Sequence, residues 1–254
     1  MKSYMIGMAL GALLSLGYSP VFSQIQPDTL ATENGRDIIL QPIFHGTLAL
    51  EWNNVSVYID PYGGAERFSG VKPPDIVLIT DIHGDHLDTR TLEALETSEV
   101  TFIVPQAVAD QLPDAYKKNL VILKNGESKE ISGITIGAIP MYNLPASKDA
   151  PHVKGRGNGY LLSLDDKKIY ISGDTGDIPE MRALRDIDVA FVCMNLPYTM
   201  PVEKAADAVL DFKPAVVYPY HYRGNPDMSD TEKFKKLVDA GHQNTEVRLR
   251  NWYP

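Results

Sequence analysis

The sequence predicts an α+β fold in which two β-sheets pack face to face and helices cover the outside. Three observations lead there. β-type runs open each half of the chain, helical periodicity follows them, and no repeat or linker divides residues 24–254. The runs at 37–42, 48–52, 55–59 and 76–80 are short, and the loops between them hold Gly, Asn and Pro, as paired strands with tight turns require. Asp88 then stands where a helix N-cap belongs, ahead of a helix over 89–95. A strand at 100–104 and a helical stretch at 106–119, broken near Pro113, complete the first half. The second half is mostly strand up to residue 171, including 134–139, 159–164 and 168–172, and a further strand follows at 215–219. Two helices flank that last strand. The one at 203–212 gathers Ala205, Ala206, Val209 and Leu210 on one face, and the one at 231–240 gathers Phe234, Leu237 and Val238. Residues 247–252 read as a closing strand.

The 254 residues are 44% hydrophobic and 22% charged, an ordinary globular composition. The N-terminus stands apart. Lys2 gives a positive start, residues 5–16 are uncharged and rich in Ala, Leu, Met and Gly, and Pro20-Val21-Phe22-Ser23 precedes polar Gln24. A secretory signal has that order, so residues 1–23 are expected to be cut away after Ser23, leaving 24–254 as a single exported domain, periplasmic or secreted. Ser15, Gly17, Tyr18, Ser19 and Pro20 interrupt the apolar run short of the roughly 20 residues of a membrane span, so the mature chain is not expected to insert stably. The net charge of −9, with scattered Lys and Arg and no basic stripe, argues against nucleic acid as a partner. Cys193 is the single cysteine and lies in the apolar run 189–194, which suits a small buried core residue rather than a nucleophile.

Chemistry concentrates in the run Asp81-Ile82-His83-Gly84-Asp85-His86. It directly follows an apolar strand and directly precedes a helix, so a compact turn there aims four ligand-type side chains into one space. Imidazole together with carboxylate suits zinc, iron or manganese. Three more residues share the same placement: Asp60 ends the strand 55–59, Asp174 ends 168–172, and His221 ends 215–219. A rigid strand end is how a scaffold presents ligands, and the agreement among these positions says more than any one of them.

The succession Asp60-Pro61, Thr80 to His86, Ser172-Gly173-Asp174-Thr175 and His221 resembles the metallo-β-lactamase superfamily over most of residues 38–225. It is particularly similar to the branch of metal-dependent hydrolases that includes the L-ascorbate-6-phosphate lactonases. Weaker agreements are His45-Gly46-Thr47 and Tyr198-Thr199-Met200. The resemblance implies a four-layer αββα sandwich holding two divalent metal ions, zinc foremost, at one edge between the sheets. It implies His83 in the first metal site, Asp85, His86 and His221 in the second, Asp174 as the bridge, and Asp60 behind them orienting a ligand. It further implies that Asp85 holds the attacking water, and that the metals make a hydroxide near neutral pH and stabilise the developing oxyanion. The chain departs from the family twice. Asp81 stands where the first histidine ligand belongs, and this harder ligand implies either a first site weaker for zinc or one that prefers manganese or iron. The histidine expected after a strand near 139–144 is replaced by Pro140-Met141-Tyr142-Asn143, so either His152 folds back to supply the ligand or Asn143 contributes its side-chain oxygen.

His45 is expected to be a histidine satisfied within its sheet, with a substrate contact at the metal edge as the alternative. Asn143 and Tyr198 are further candidates for the pocket wall. His242, after a helix end, is assigned no function. Lys154, Arg156 and Arg223 are the basic groups nearest the site and are read as solvated unless a substrate phosphate or carboxylate meets them. The function predicted is hydrolysis of an ester, lactone or phosphoester bond of a small molecule by a metal-bound hydroxide. The chain has no G-x-S-x-G, G-x-x-x-x-G-K-[ST] or G-x-G-x-x-G to support another chemistry. Two alternatives stand beside it: a non-catalytic metal- or ligand-binding protein on the same fold, and a β-lactamase. The second is disfavoured because the Gly173-Asp174-Thr175 carboxylate resembles other branches of the superfamily.

Overall fold

Strand pairing of one plan, used twice, builds the protein. The computed structural model describes residues 24–241 and 244–254. The expected signal segment 1–23 and His242 lie outside the described residues. The first sheet runs β1 (Asp28–Leu30), β2 (Ile38–Phe44), β3 (Thr47–Trp52), β4 (Val55–Ile59), β5 (Ile76–Leu78), β6 (Thr101–Val104) and β7 (Leu120–Ile122) in spatial order. Its first four strands pair antiparallel, and β4 to β7 pair parallel. The second sheet repeats this with β8 (Ser128–Ile131), β9 (Ile134–Met141), β10 (Gly157–Leu164) and β11 (Lys167–Ile171) antiparallel. There β12 (Val189–Cys193), β13 (Val216–Tyr220) and β14 (Glu246–Val247) follow in parallel from β11.

Parallel neighbours need a crossover, and the helices supply it. In the first half these are α1 (Thr89–Ala94) and α2 (Gln106–Gln111); in the second, α3 (Pro179–Arg182), α4 (Val202–Phe212) and α5 (Thr231–Ala240). The expected cap of α1 is present, with the Asp88 carboxylate accepting from the N–H groups of Arg90 and Thr91. Side-chain alternation then sorts each strand of the first sheet between two cores. Val57, Ile59, Ile76, Leu78 and Ile103 face the second sheet, while Tyr58, Val77, Ile79, Phe102 and Val104 face outward and pack with Leu92 of α1 and Val108 and Ala109 of α2. Helix α4 places Ala205, Ala206 and Val209 into the large core between and beyond the sheets. The result is the four-layer αββα sandwich that the resemblance implied. No helix among the described residues is long and apolar enough to cross a membrane.

Polar groups also tie the two sheets together at one end. The buried Tyr160 hydroxyl of β10 reaches across to the carbonyls of Ile79 (2.8 Å) and Ile103 (3.0 Å). The backbone N–H of Asn158 donates to Thr80 O at 2.9 Å, and its side-chain amide donates to Leu123 O at the same distance. Cys193 is fully buried in β12, and burial pushes its thiol up to about 12, as a core residue requires.

One expected element is corrected. The strand anticipated at 247–252 stops after Val247. Arg248 N–H still donates to Val217 O, but beyond it the chain turns inward, and the Trp252 ring packs edge-on against Phe191 and Tyr220. Burial of a large aromatic outweighs a few more rungs at the edge of the sheet.

Tyr160→Phe removes only a hydroxyl and leaves both acceptor carbonyls in the core. It is expected to lower stability by about 1–3 kcal/mol in urea unfolding with an unchanged m-value. A change below about 0.5 kcal/mol would show that the hydroxyl does not help hold the sheets together.

Candidate metal centre

All parallel strands of a sheet end on the same side, and here both sheets end at the same edge of the sandwich. Asp60 follows β4, the run Asp81 to His86 follows β5 by two residues, Asp174 follows β11, Asn195 follows β12 and His221 follows β13. The turn between β2 and β3 adds His45. Asp60, His221 and His45 all adopt left-handed backbone, with φ of 45°, 45° and 58°. Strained conformations of this kind persist only where the surroundings over-determine them, and they gather at functional sites. Glycine provides close approach where a side chain would intrude. A Cβ on Gly173 (φ 59°) would lie 2.5 Å from Met141 Sδ, and one on Gly157 would lie 2.8 Å from Thr80 O.

The side chains form two clusters that meet at Asp174. In the first, Asp81 Oδ2 lies 2.8 Å from His83 Nδ1 and 3.8 Å from His152 Nε2, and His152 Nε2 lies 3.3 Å from Asp174 Oδ2. In the second, His221 Nε2 lies 3.4 Å from both Asp85 Oδ2 and Asp174 Oδ1, and His86 Nε2 lies 3.5 Å from Asp174 Oδ2. Ligand atoms around a tetrahedral ion with bonds near 2.1 Å are roughly 3.4 Å apart, so the spacing is that of atoms able to share an ion. His152 Nε2 in the first cluster and Asp174 Oδ1 in the second are buried and have no hydrogen-bond partner, a costly condition that a cation beside each would relieve. The residues fit a metal pair: Asp81, His83, His152 and Asp174 for one ion, and Asp85, His86, His221 and Asp174 for the other.

The surroundings hold these groups in place and set their charge. The Nδ1 of His86 donates to Asp60 Oδ2 (2.7 Å), and Asp60 also accepts from the N–H and hydroxyl of Thr80, which turns His86 Nε2 toward Asp174. His152 is held by its backbone N–H and Nδ1 on Asn143 Oδ1, and Asn143 is itself fixed by donating to Tyr198 O. Burial alone would raise the carboxyls of Asp85 and Asp174. Hydrogen bonds from His221 and His45 hold Asp85 far below the usual carboxylate range, and the nearby His221 and His86 do the same for Asp174. Against burial, Asp174 and Asp60 hold His86 well above its ordinary value. The cluster therefore attracts positive charge, whether a proton or a metal.

Asp81 has an additional partner. Arg156 Nε donates to Asp81 Oδ1 (3.1 Å) and its Nη2 donates to Asp81 Oδ2 (3.0 Å), a two-pronged pair on a fully buried carboxylate. Both of its oxygens are thus engaged by one guanidinium, and Oδ2 is shared between Arg156 and His83.

A cavity of about 440 Å³ opens over the centre, lined by His45, Asp85, Asp174, His221, Asn195, Tyr198 and Arg223 among others. The Oδ1 of Asn195 is taken by the Thr199 hydroxyl (2.6 Å), which leaves its amide N–H groups for the cavity. Arg223 lies over the Tyr253 ring at 4.0 Å and has no carboxylate partner among the described residues. Lys154 pairs with Glu180 instead.

The structure brings together Asp81, His83, Asp85, His86, Asp174, His221 and His152, and puts Asp60 directly behind His86. It turns His152, rather than Asn143, into the cluster; Asn143 is the prop that holds it. The preference for His45 as a histidine satisfied within its sheet is corrected. Its ring reaches into the site, with Nε2 3.0 Å from Asp85 Oδ2, because the left-handed turn points it there. Burial, working against the Asp85 contact, lowers its pKa to about 4, so the ring is neutral near pH 7. The solvated reading of Arg156 is corrected by its pair with the buried Asp81, whereas Lys154 stays exposed beside Glu180. Sequence reasoning missed Asn195 and Tyr253. Asn195 had a signal, its place at the end of a buried strand, but Tyr253 is 208 residues from its partner His45 and had none.

Comparisons with known proteins agree with this arrangement. The profile of the family described as a beta-lactamase superfamily domain matches residues 39–221. A UPF0173 metal-dependent hydrolase of Pyrococcus horikoshii is 34% identical over 192 residues, covering 72% of this chain and 84% of that protein. A crystal structure named for a metal-dependent hydrolase from Parabacteroides distasonis is 37% identical, with a TM-score of 0.78 over 89% of this chain and 98% of the other. The metallo hydrolase Igni18 from Ignicoccus hospitalis superposes with a TM-score of 0.70 at 26% identity, over 83% and 93% of the two chains. Carboxylate and imidazole ligands gathered where two sheets end, on a chain whose family match spans the whole of that ligand set, make this protein a member of the metallo-β-lactamase superfamily.

Proposed function

We propose that the protein is an exported metal-dependent hydrolase that cleaves an ester, lactone or phosphoester bond of a small molecule. The observation that carries this is the pair of clusters around Asp174, open to a cavity of small-molecule size, in a chain related to proteins named metal-dependent hydrolases. Export rests on the order of Lys2, the apolar run and the small-residue exit at Ser23. Divalent ions bound here supply Lewis acidity, which makes water a better nucleophile and offsets charge that builds on the attacked oxygen. The chain's own groups do the rest. Asp85, held ionised on the cavity wall, accepts a hydrogen bond from the attacking water and orients it. Asn195 directs its amide N–H groups toward an oxygen that gains charge. Arg223, already oriented on Tyr253, meets a negatively charged substituent of the substrate.

A second reading is favoured by the Asp81–Arg156 pair. If Arg156 satisfies Asp81 in place of an ion, the first cluster stays without metal and the chain carries one ion in the second.

Elemental analysis of purified protein separates the two. Two metals per chain are expected on the first reading. One metal, rising to two in Arg156→Leu, would favour the second. Asp85→Asn is expected to lower kcat/KM on a cleaved ester or phosphoester by at least about 100-fold in metal-replete buffer, with the fold intact by circular dichroism. Near-wild-type activity in that variant would sink the role given to Asp85. Arg223→Ala is expected to raise KM about 10-fold for an anionic substrate and to leave the KM of a neutral one unchanged. Equal effects on both would remove Arg223 from substrate recognition.

A further inference from the structure

The C-terminal segment enters the site from beyond the stretch that matches the family. His45 N–H donates to Trp252 O (3.2 Å), Trp252 N–H donates to Tyr222 Oη (3.2 Å), and the Tyr253 ring packs edge-on against Tyr222 at 5.0 Å. The Tyr253 hydroxyl lies 2.8 Å from His45 Nδ1 and accepts from Arg223 N–H at 3.0 Å. The Nε2 of His45 lies 3.0 Å from Asp85 Oδ2.

Two hydrogen bonds in this chain have a direction fixed by chemistry, the one on Asp85 and the one from the Arg223 backbone. An ionised carboxylate can only accept, so His45 Nε2 carries a proton and donates to Asp85. The Tyr253 hydroxyl holds the other ring nitrogen, Nδ1, at 2.8 Å. The remaining lone pairs of that hydroxyl accept from the Arg223 backbone. A fixed main-chain donor is thus linked through Tyr253 and His45 to one oxygen of Asp85.

We propose that Tyr253 is a positioning residue for the second metal cluster, acting through His45 to fix the Asp85 carboxylate. The proposal rests on the assignment of Asp85 as a metal ligand. Both ring nitrogens of His45 are then in use, and Tyr253 fixes the rotation of a ring that the left-handed turn aims at the site. Groups that orient a ligand in this way are commonly worth about 10–100-fold in metal affinity. Tyr253→Phe keeps the ring, and with it the contacts to Tyr222 and Arg223, and removes only the hydroxyl.

The test is titration of metal-free protein with zinc against a chromophoric chelator, with Asp85→Asn as the reference that identifies the Asp85-dependent step. In that step Tyr253→Phe is expected to weaken zinc about 10-fold, and His45→Ala by at least as much. His45→Gln, which retains an amide N–H for Asp85, is expected to recover part of the loss. The double variant Tyr253→Phe with His45→Ala is expected to bind as His45→Ala does, because Tyr253 acts only through His45. Losses that add in the double variant would overturn the proposal. So would zinc affinity unchanged in Tyr253→Phe, even if its Tm falls. Should Tyr253→Phe fail to fold, the contrast between His45→Gln and His45→Ala decides, and equal losses in the two overturn it. A wild-type chain that follows this pattern yet cleaves no ester, lactone or phosphoester would sink the hydrolase assignment and leave the positioning role standing.

Discussion

Four carboxylates converge on one edge of a dry sandwich, and compensating their charge is the constraint on which the site depends. Asp60 and Asp81 are fully buried, and Asp174 is nearly so. An ionised carboxylate in such surroundings persists only when it is paired and hydrogen-bonded. Each has its own answer. Asp60 is held by His86 and Thr80, Asp81 by Arg156 and His83, Asp85 by His45 and His221, and Asp174 by three imidazoles. These partners come from loops and turns beside the strands of both sheets. The centre therefore cannot be assembled from either half alone.

Parallel pairing makes the convergence possible. An antiparallel sheet sends alternate strand ends to opposite edges, whereas β4 with β5 and β11 with β12 and β13 deliver theirs to the same side. The rungs at Ile59 with Leu78 and at Cys193 with Tyr220 are the last of their ladders. Residues just beyond them leave the sheet on rigid backbone, and the left-handed turns at Asp60 and His221 aim the side chains inward. The interior supports this placement through Tyr160 and Asn158, which lock the two sheets together beneath the centre.

Most of this was legible in the sequence, for a physical reason. Ligands at strand ends follow apolar runs, so Asp60, the run Asp81 to His86, Asp174 and His221 carry a local signature. The layered fold was readable in the same way, from periodicity and turn residues. What was not legible depends on chain reversals. His152 lies in an irregular loop, and only the contacts with Asn143 show that it turns inward. His45 looks like any strand-end residue until its left-handed φ is known. The partnership of Arg156 with Asp81 spans 75 residues and that of Tyr253 with His45 spans 208, so neither leaves a pattern in neighbouring positions. The strand expected at 247–252 failed for a related reason, because Trp252 is drawn to a core made by residues far away in sequence.

The left-handed turns at His45 and His221 are joined, since His221 N–H donates to the His45 carbonyl at 3.1 Å. One of these residues lies near the start of the described chain and the other near its end. During synthesis the first sheet and the loop Asp81 to His86 exist long before residue 221, so an early chain holds Asp85 without the His221 imidazole beside it. His221, which lies against both Asp85 and Asp174, joins the centre only when β13 docks on β12. His45, His83 and His86 are made with the first carboxylates, so the early half carries part of its own compensation, and Asp174 and His221 arrive together with the second sheet.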